Sequence, residues 1–217
     1  LVENPHALLG SFDKDYLKIP AEILVNVMEK HQRYFPVVSR AGELLPYFII
    51  TSNSGPKSAD AVRQGNERVI KARFNDAGFF FREDMKTPLR QKSEKLRKVT
   101  WQEKLGTTWE KQERLAELCA FLGQAMNMDK VAAANAQSAA MLCKADLVSE
   151  VVKEFPNLQG AMGREYARLN NEPAEVAEAV FEHYLPRFAG DILPGTREGI
   201  LLALADKIDA LSGCFGD

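Results

Sequence analysis

Four carboxylates, one histidine and one cysteine in the second half of this 217-residue chain are of the types that build a hydrolytic centre. Met141 to Phe155 reads MLCKADLVSEVVKEF, and Leu202 to Leu211 reads LALADKIDAL. On helices, Asp146 and Glu150 share one face and Asp206 and Asp209 another. Carboxylates and imidazoles that converge can hold a divalent cation, which activates water for attack on a phosphoester. One known class of metal hydrolases built on helices carries an adjacent His-Asp pair, an earlier His and a late Asp. Asp206 is available as the late Asp. The place of the pair is taken by Cys143-Lys144 or, one register on, by Ala145-Asp146. A protonated lysine has no lone pair for a cation, and alanine has no donor. His183 is the single histidine of this half, and its Glu182-His183-Tyr184 setting near a helix end suits a surface or capping role.

What remains resembles the skeleton of an HD-type phosphohydrolase domain without its metal-binding histidines. The expectation is a scaffold kept for binding, with no metal and no catalytic residue. A surviving metal-dependent phosphohydrolase acting on a nucleotide or phosphorylated RNA end is the enzyme alternative. Asp206, in an Ala/Leu-rich helix, needs a lysine or arginine from a neighbouring helix. Cys143 beside an apolar stripe reads as a buried structural thiol. Gly160-Ala161-Met162-Gly163 is too short for a phosphate-cradling loop and lacks its Lys-Ser/Thr.

The elements that must position these residues fall into two parts. Residues 1–99 read as an α+β segment with a β-hairpin and a long basic helix, and 100–217 as an all-helical domain. Pro20 opens a helix with Ile23, Leu24, Val27, Met28 and His31 at helical spacing. Tyr34 to Val38 and Leu44 to Thr51 are β-branched and aromatic, joined by a Gly-containing loop, as in a hairpin. Gly55-Pro56 marks a break, after which Ala59 to Met85 returns to helix, with Val62, Val69, Ile70, Phe74, Ala77 and Phe81 on one side. In the second part Thr107 and Glu110 form a capping box, and Asp129 caps a helix expected to run to Phe155. Asn171 and Pro173 start another helix, and Ile200, Leu204, Ile208 and Leu211 are expected to face inward on the last.

Composition sets the outer limits. With 46% apolar and 27% charged residues the chain is that of a globular protein. No apolar run approaches the ~20 residues that span a bilayer, so no membrane role is expected. Cys119, Cys143 and Cys214 are widely spaced and odd in number, on apolar helix faces or near a chain end, which suits buried thiols in a reducing cytosol. A start at Leu1 and a stop just after a helical pattern read as a fragment cut from something longer.

Net charge of −2 hides an asymmetry. Residues 1–99 hold 17 Lys+Arg against 12 Asp+Glu, and 100–217 hold 11 against 18. The cations concentrate in Arg63, Arg68, Lys71 and Arg73 and, after the Phe79-Phe80-Phe81 cluster, in Arg90, Lys92, Lys95, Arg97 and Lys98. Such a row can track a phosphate backbone, so these nine residues are the candidate RNA-binding set. A solvated helix face with internal salt bridges is the plainer alternative.

Several strings, in order along the whole chain, match one family. GNERVIKARFNDAGFFFREDMKTPL (Gly65 to Leu89), FPVV (Phe35 to Val38), WQEKLGT (Trp101 to Thr107), CKADLVSEVVKEFPNLQGAMGREYA (Cys143 to Ala167) and EHYLPRFAGDILP (Glu182 to Pro194) resemble the β subunit of the bacterial heterotetrameric glycyl-tRNA synthetase. The resemblance implies an α₂β₂ ligase in which the α chain activates glycine with ATP and Mg²⁺, while the β chain handles tRNA(Gly). It also implies a degenerate HD-like domain in the second half and an anticodon-binding domain outside this stretch. No cofactor is expected on the fragment itself, and no catalytic residue carries over. Tethering without RNA contact, as a spacer between the α chain and the anticodon-binding domain, is a further alternative.

Overall fold

A computed structural model describes residues 5–53, 55 and 58–215. It divides into two compact units, residues 1–83 and 84–217. The expected break at Gly55-Pro56 lies in part outside the described residues, since Pro56 is among those not described.

Unit one is built on a three-stranded antiparallel sheet in the order β1-β3-β2, from β1 (His6–Ser11), β2 (Phe35–Val38) and β3 (Leu44–Ser52). The hairpin is present: Ser39 N–H donates to Glu43 O at 2.8 Å, and Gly42 takes φ 84° at its tip. Along β3 the side chains alternate, with Pro46, Phe48, Ile50 and Ser52 buried and Tyr47, Ile49 and Thr51 exposed. Strand β1 was not expected from HALLGS, which lacks β-branched residues. It forms because β3 offers an open edge, with Leu8 opposite Ile50 and Gly10 opposite Phe48. Glycine is required there, since a Cβ on Gly10 would lie 2.6 Å from Phe48 Cζ.

Helix α1 (Ala21–Asn26) passes into a wider π-turn, Val27–Gln32, which ends at Arg33 with φ 55°. Ile23, Leu24, Val27 and Met28 are buried as the spacing predicts, but His31 is exposed. Helix α2 (Ala59–Met85) lays Ile70, Phe74 and Ala77 on the core. Val69, expected on that side, is 42% exposed, and so is Phe79 at 53%. Phe74 meets Phe12 edge-on at 5.0 Å, and Tyr34 stacks on Phe48 at 4.9 Å.

Unit two is helical, apart from a small ribbon of β4 (Thr100–Gln102) and β5 (Gly106–Thr107). Its helices are α3 (Leu89–Glu94), α4 (Thr108–Ala125), α5 (Lys130–Ala140), α6 (Glu150–Glu154), α7 (Ala161–Leu169), α8 (Ala174–Glu182) and α9 (Arg197–Phe215). Helix α4 packs on α5 and α9, and α8 packs on α5, α7 and α9. The capping box opens α4, with Thr107 Oγ1 accepting from Glu110 N–H and Glu110 Oε2 accepting from Thr107 N–H at 2.6 Å. Asp129 accepts from Ala132 N–H at 2.9 Å and caps α5.

Two expectations are corrected in this unit. The stretch from Lys130 to Phe155 is not one helix. It ends at Ala140, turns through 141–144, makes a 3-10 turn at Ala145–Val148 and restarts as α6, whose N-cap is Ser149. Side-chain demands drive the break: Lys144 turns inward, and Asp146 accepts from the backbone of Gly160 at 2.6 Å and Gly163 at 3.0 Å. On α9 the buried side is Glu198, Leu201, Leu202, Ala205 and Asp209, whereas Ile200, Leu204, Ile208 and Leu211 are exposed. Both sides of α9 are apolar, so periodicity alone could not choose the inward one.

The division between units falls earlier than residues 99 and 100 because Asp84 belongs to the helical unit. Its buried carboxylate accepts from Glu150 N–H, Val151 N–H and Tyr166 Oη at 2.8, 2.9 and 2.8 Å. Redrawn at Glu83/Asp84, unit one holds 11 Lys+Arg against 10 Asp+Glu and unit two 17 against 20. Most of the charge contrast came from assigning residues 84–99 to the first part.

Candidate functional site

Of the four carboxylates and the histidine that could have served a hydrolytic centre, Asp206 and His183 come together, around an ammonium, whereas Glu150 pairs with Lys153 on the surface and Asp146 and Asp209 have other partners. Lys144 Nζ lies 2.8 Å from His183 Nε2 and 3.2 Å from Asp206 Oδ2. The Tyr184 ring covers it at 4.2 Å. His183 Nδ1 is 2.6 Å from Val180 O, a bond that places the imidazole proton on Nδ1 and leaves Nε2 to accept from the lysine. Burial, and then the neighbouring lysine charge, hold His183 well below the usual imidazole range, so it is neutral at pH 7.

Asp206 faces two lysines. Its Oδ1 is 2.9 Å from Lys111 Nζ, close enough to pair but off hydrogen-bond alignment, so the attraction is Coulombic. Burial works against the Asp206 charge, but the Lys144 and Lys111 ammonium groups outweigh it and hold the carboxyl at about 2. Fully buried Lys111 also donates to Asp209 Oδ2 at 2.7 Å, and Arg114 Nε donates to Asp209 Oδ1 at 2.6 Å. Two carboxylates and three cations thus tie α4, the 141–144 turn, the end of α8 and α9 together.

A divalent cation does not fit this arrangement. The space between His183 Nε2 and Asp206 is filled by a protonated amine, which offers no lone pair and repels a cation. Among the described residues no group of three His, Cys, Asp or Glu side chains is placed to hold a metal. Cys143 is buried with its thiol pushed up to about 12 by desolvation, which makes it a poor nucleophile.

The nine candidate cations divide between the units and between two fates. In unit one Arg63 pairs with Asp60 at 3.0 Å on the exposed surface. Arg68, Lys71 and Arg73 are exposed and make no ion pair among the described residues. Arg68 and Lys71 lie about 60° apart around the helix and Arg73 lies about 140–160° from both, so they are two flanks rather than one stripe. In unit two Arg90 is clamped on Glu172 through two 2.6 Å bonds. Lys92 is buried, 4% exposed, with Nζ on Asp84 O at 2.7 Å. A phosphate cannot reach it, which removes it from the RNA-facing set. Arg97 lies 3.8 Å over the Trp109 ring and pairs with Glu94 at 2.9 Å. Lys95 and Lys98 remain exposed without an ion pair among the described residues.

Comparison with known proteins places this arrangement in a family. The family model described as "Glycyl-tRNA synthetase beta subunit" matches residues 1–217. The chain belongs to this family. It is 50% identical over 215 residues to the glycine–tRNA ligase beta subunit of Desulforamulus reducens, covering 99% of the chain and 31% of that relative. It is 49% identical over 216 residues to the one from Geobacter sulfurreducens, covering 100% and 31%. With that of Syntrophomonas wolfei it shares 51% over 215 residues, covering 99% and 31%. The chain therefore spans 31% of the length of these relatives.

In this glycyl-tRNA synthetase β-subunit chain, sequence reading identified Asp206 and foresaw its basic partners. It missed Lys111 and Arg114, which look like ordinary polar positions of an amphipathic helix; of its surface or capping reading of His183 the second holds, since His183 is the C-cap of α8, while burial overturns the first. It also missed Glu182, which accepts from Gly195 N–H at 2.6 Å and Thr196 N–H at 3.0 Å and so fixes the approach to α9. The available signal was charge within apolar runs: a buried carboxylate or ammonium demands a counter-charge. No helix among the described residues is long and apolar enough to cross a membrane.

Proposed function

We propose that this chain contributes tRNA contacts to a cytoplasmic glycine–tRNA ligase and has no catalytic site of its own. The observation that supports this reading is that five of the nine candidate cations, Arg68, Lys71 and Arg73 in unit one and Lys95 and Lys98 in unit two, are exposed and make no ion pair among the described residues. Each is free to replace a counterion on the phosphate backbone of tRNA(Gly). The helical unit is then a degenerate HD-like scaffold, held by the Lys144–Asp206–Lys111 network where a phosphohydrolase would hold metal. In this reading the α chain of an α₂β₂ assembly supplies glycine activation, and ATP and Mg²⁺ are used there.

The internal engagement of Arg90, Lys92 and Arg97 favours a structural role for most of residues 89–98. Binding of tRNA(Gly) by the full-length α/β enzyme carrying Lys95→Ala and Lys98→Ala tests the unit-two contribution. Weaker binding with a shallower salt dependence supports it. Unchanged binding with loss of the α chain would instead support the spacer reading. The phosphohydrolase alternative has no support from these side chains, because Lys144 fills the space a metal needs.

A further inference from the structure

Helix α9 carries a second apolar face that unit two does not use. Leu201, Leu202 and Ala205 are buried on one side. On the other, Ile200, Leu204, Ile208, Leu211 and Phe215 recur every three or four residues and are 38, 42, 39, 59 and 82% exposed. A helix apolar on both sides is ordinarily buried on both. The face is continuous with an open groove of about 300 Å³ lined by Leu185, Pro186, Leu193, Pro194, Ile200 and Leu204. Lys207, at its rim, gives its ammonium to Leu185 O at 2.7 Å, which satisfies the charge against the backbone and leaves the groove apolar. Contiguous apolar surface of this kind marks a contact site rather than a solvent boundary.

We propose that this face is an intramolecular docking surface, covered in the full-length β subunit by an amphipathic helix of its own remaining polypeptide. Two observations select that occupant. The chain spans 31% of the length of its relatives, so a subunit of their length holds ample further polypeptide. The stripe also has the i, i+4, i+8, i+11, i+15 spacing of a helix–helix seam, without charges in the seam to recognise a polar ligand. The proposal rests on family membership and not on the RNA-binding reading.

The test is site-specific photocrosslinking in the full-length α/β enzyme, with p-benzoylphenylalanine in place of Leu204 and, in a second protein, of Leu211. The docked helix predicts that the main crosslinked peptide at both positions comes from the same β chain, outside residues 1–217, with a yield independent of enzyme dilution. A main crosslink to the α chain, to a second β chain in isotope-mixed enzyme, or to residues within 1–217 would overturn it. Absence of any peptide adduct at both positions would overturn it as well, since it means the face meets solvent.

Discussion

Lys144 Nζ sits 2.8 Å from His183 Nε2 and 3.2 Å from Asp206 Oδ2, so one ammonium joins the two side chains most suited to a metal. The charge a cation would have brought is supplied by a covalently attached amine. The carboxylate and the imidazole are thereby held together as a structural cluster.

Removing that amine should be costly. Lys144→Met leaves Asp206 with Lys111 alone and strips His183 Nε2 of its donor. Breaking a buried pair from one side costs about 3–5 kcal/mol, and Asp206, 18% exposed at its side chain, sets this case near the lower end. Chemical denaturation of the wild-type and variant proteins measures it.

The two buried aspartates should respond to pH in opposite directions. Asp206, held at about 2 against an ordinary 3.8, contributes stability that is full above pH 4 and lost as pH falls through 2, about 2 kcal/mol in all. Burial raises Asp146 to about 6 despite the Gly160 and Gly163 N–H groups. Its contribution is full below pH 4 and lost as pH rises through 6, about 3 kcal/mol. Asp146→Asn, which cannot ionise, should therefore gain on the wild type by about that amount between pH 4 and 7. Urea titrations of both proteins at the two pH values decide it.

Asp84 should be as important to the helical unit as any apolar residue. Asp84→Ala removes the acceptor for the first two N–H groups of α6, orphans Tyr166 Oη and leaves the buried Lys92 ammonium with the Asp84 backbone carbonyl. A loss of about 3–5 kcal/mol is expected by thermal or chemical unfolding. Lys92→Met should affect stability too, while leaving the salt dependence of tRNA binding untouched.

Gly10→Ala probes the strand that sequence reading overlooked. The new methyl meets the Phe48 ring at 2.6 Å, and the overpacking should cost about 1–3 kcal/mol. A substitution tolerated without loss of thermal stability would contradict the β1–β3 pairing.

Legibility from sequence followed the range of the interactions. The hairpin, α2, the Thr107–Glu110 capping box and the Asp129 cap are local patterns, and all are present. What escaped depends on distant residues. Strand β1 exists because of an edge offered some 40 positions along the chain. The break after Ala140 serves a lysine whose partners lie 39 and 62 residues away. On α9 both faces are apolar, and the choice between them is made by packing against α4, α5 and α8. Among the cations, net charge could not separate Lys92, buried on Asp84, from Lys95, exposed three positions later.

The central claim is that Arg68, Lys71 and Arg73, exposed on α2, contact tRNA phosphates. The most direct measurement is the salt dependence of tRNA(Gly) binding by full-length α/β enzyme with Arg68, Lys71 and Arg73 all replaced by Ala. If the three make phosphate contacts, the slope of log K against log salt becomes shallower by roughly 2, at about 0.7–0.9 per contact. Affinity at low salt falls with it, while the thermal stability is unchanged. An unaltered slope and affinity in a folded variant of wild-type stability would contradict the account.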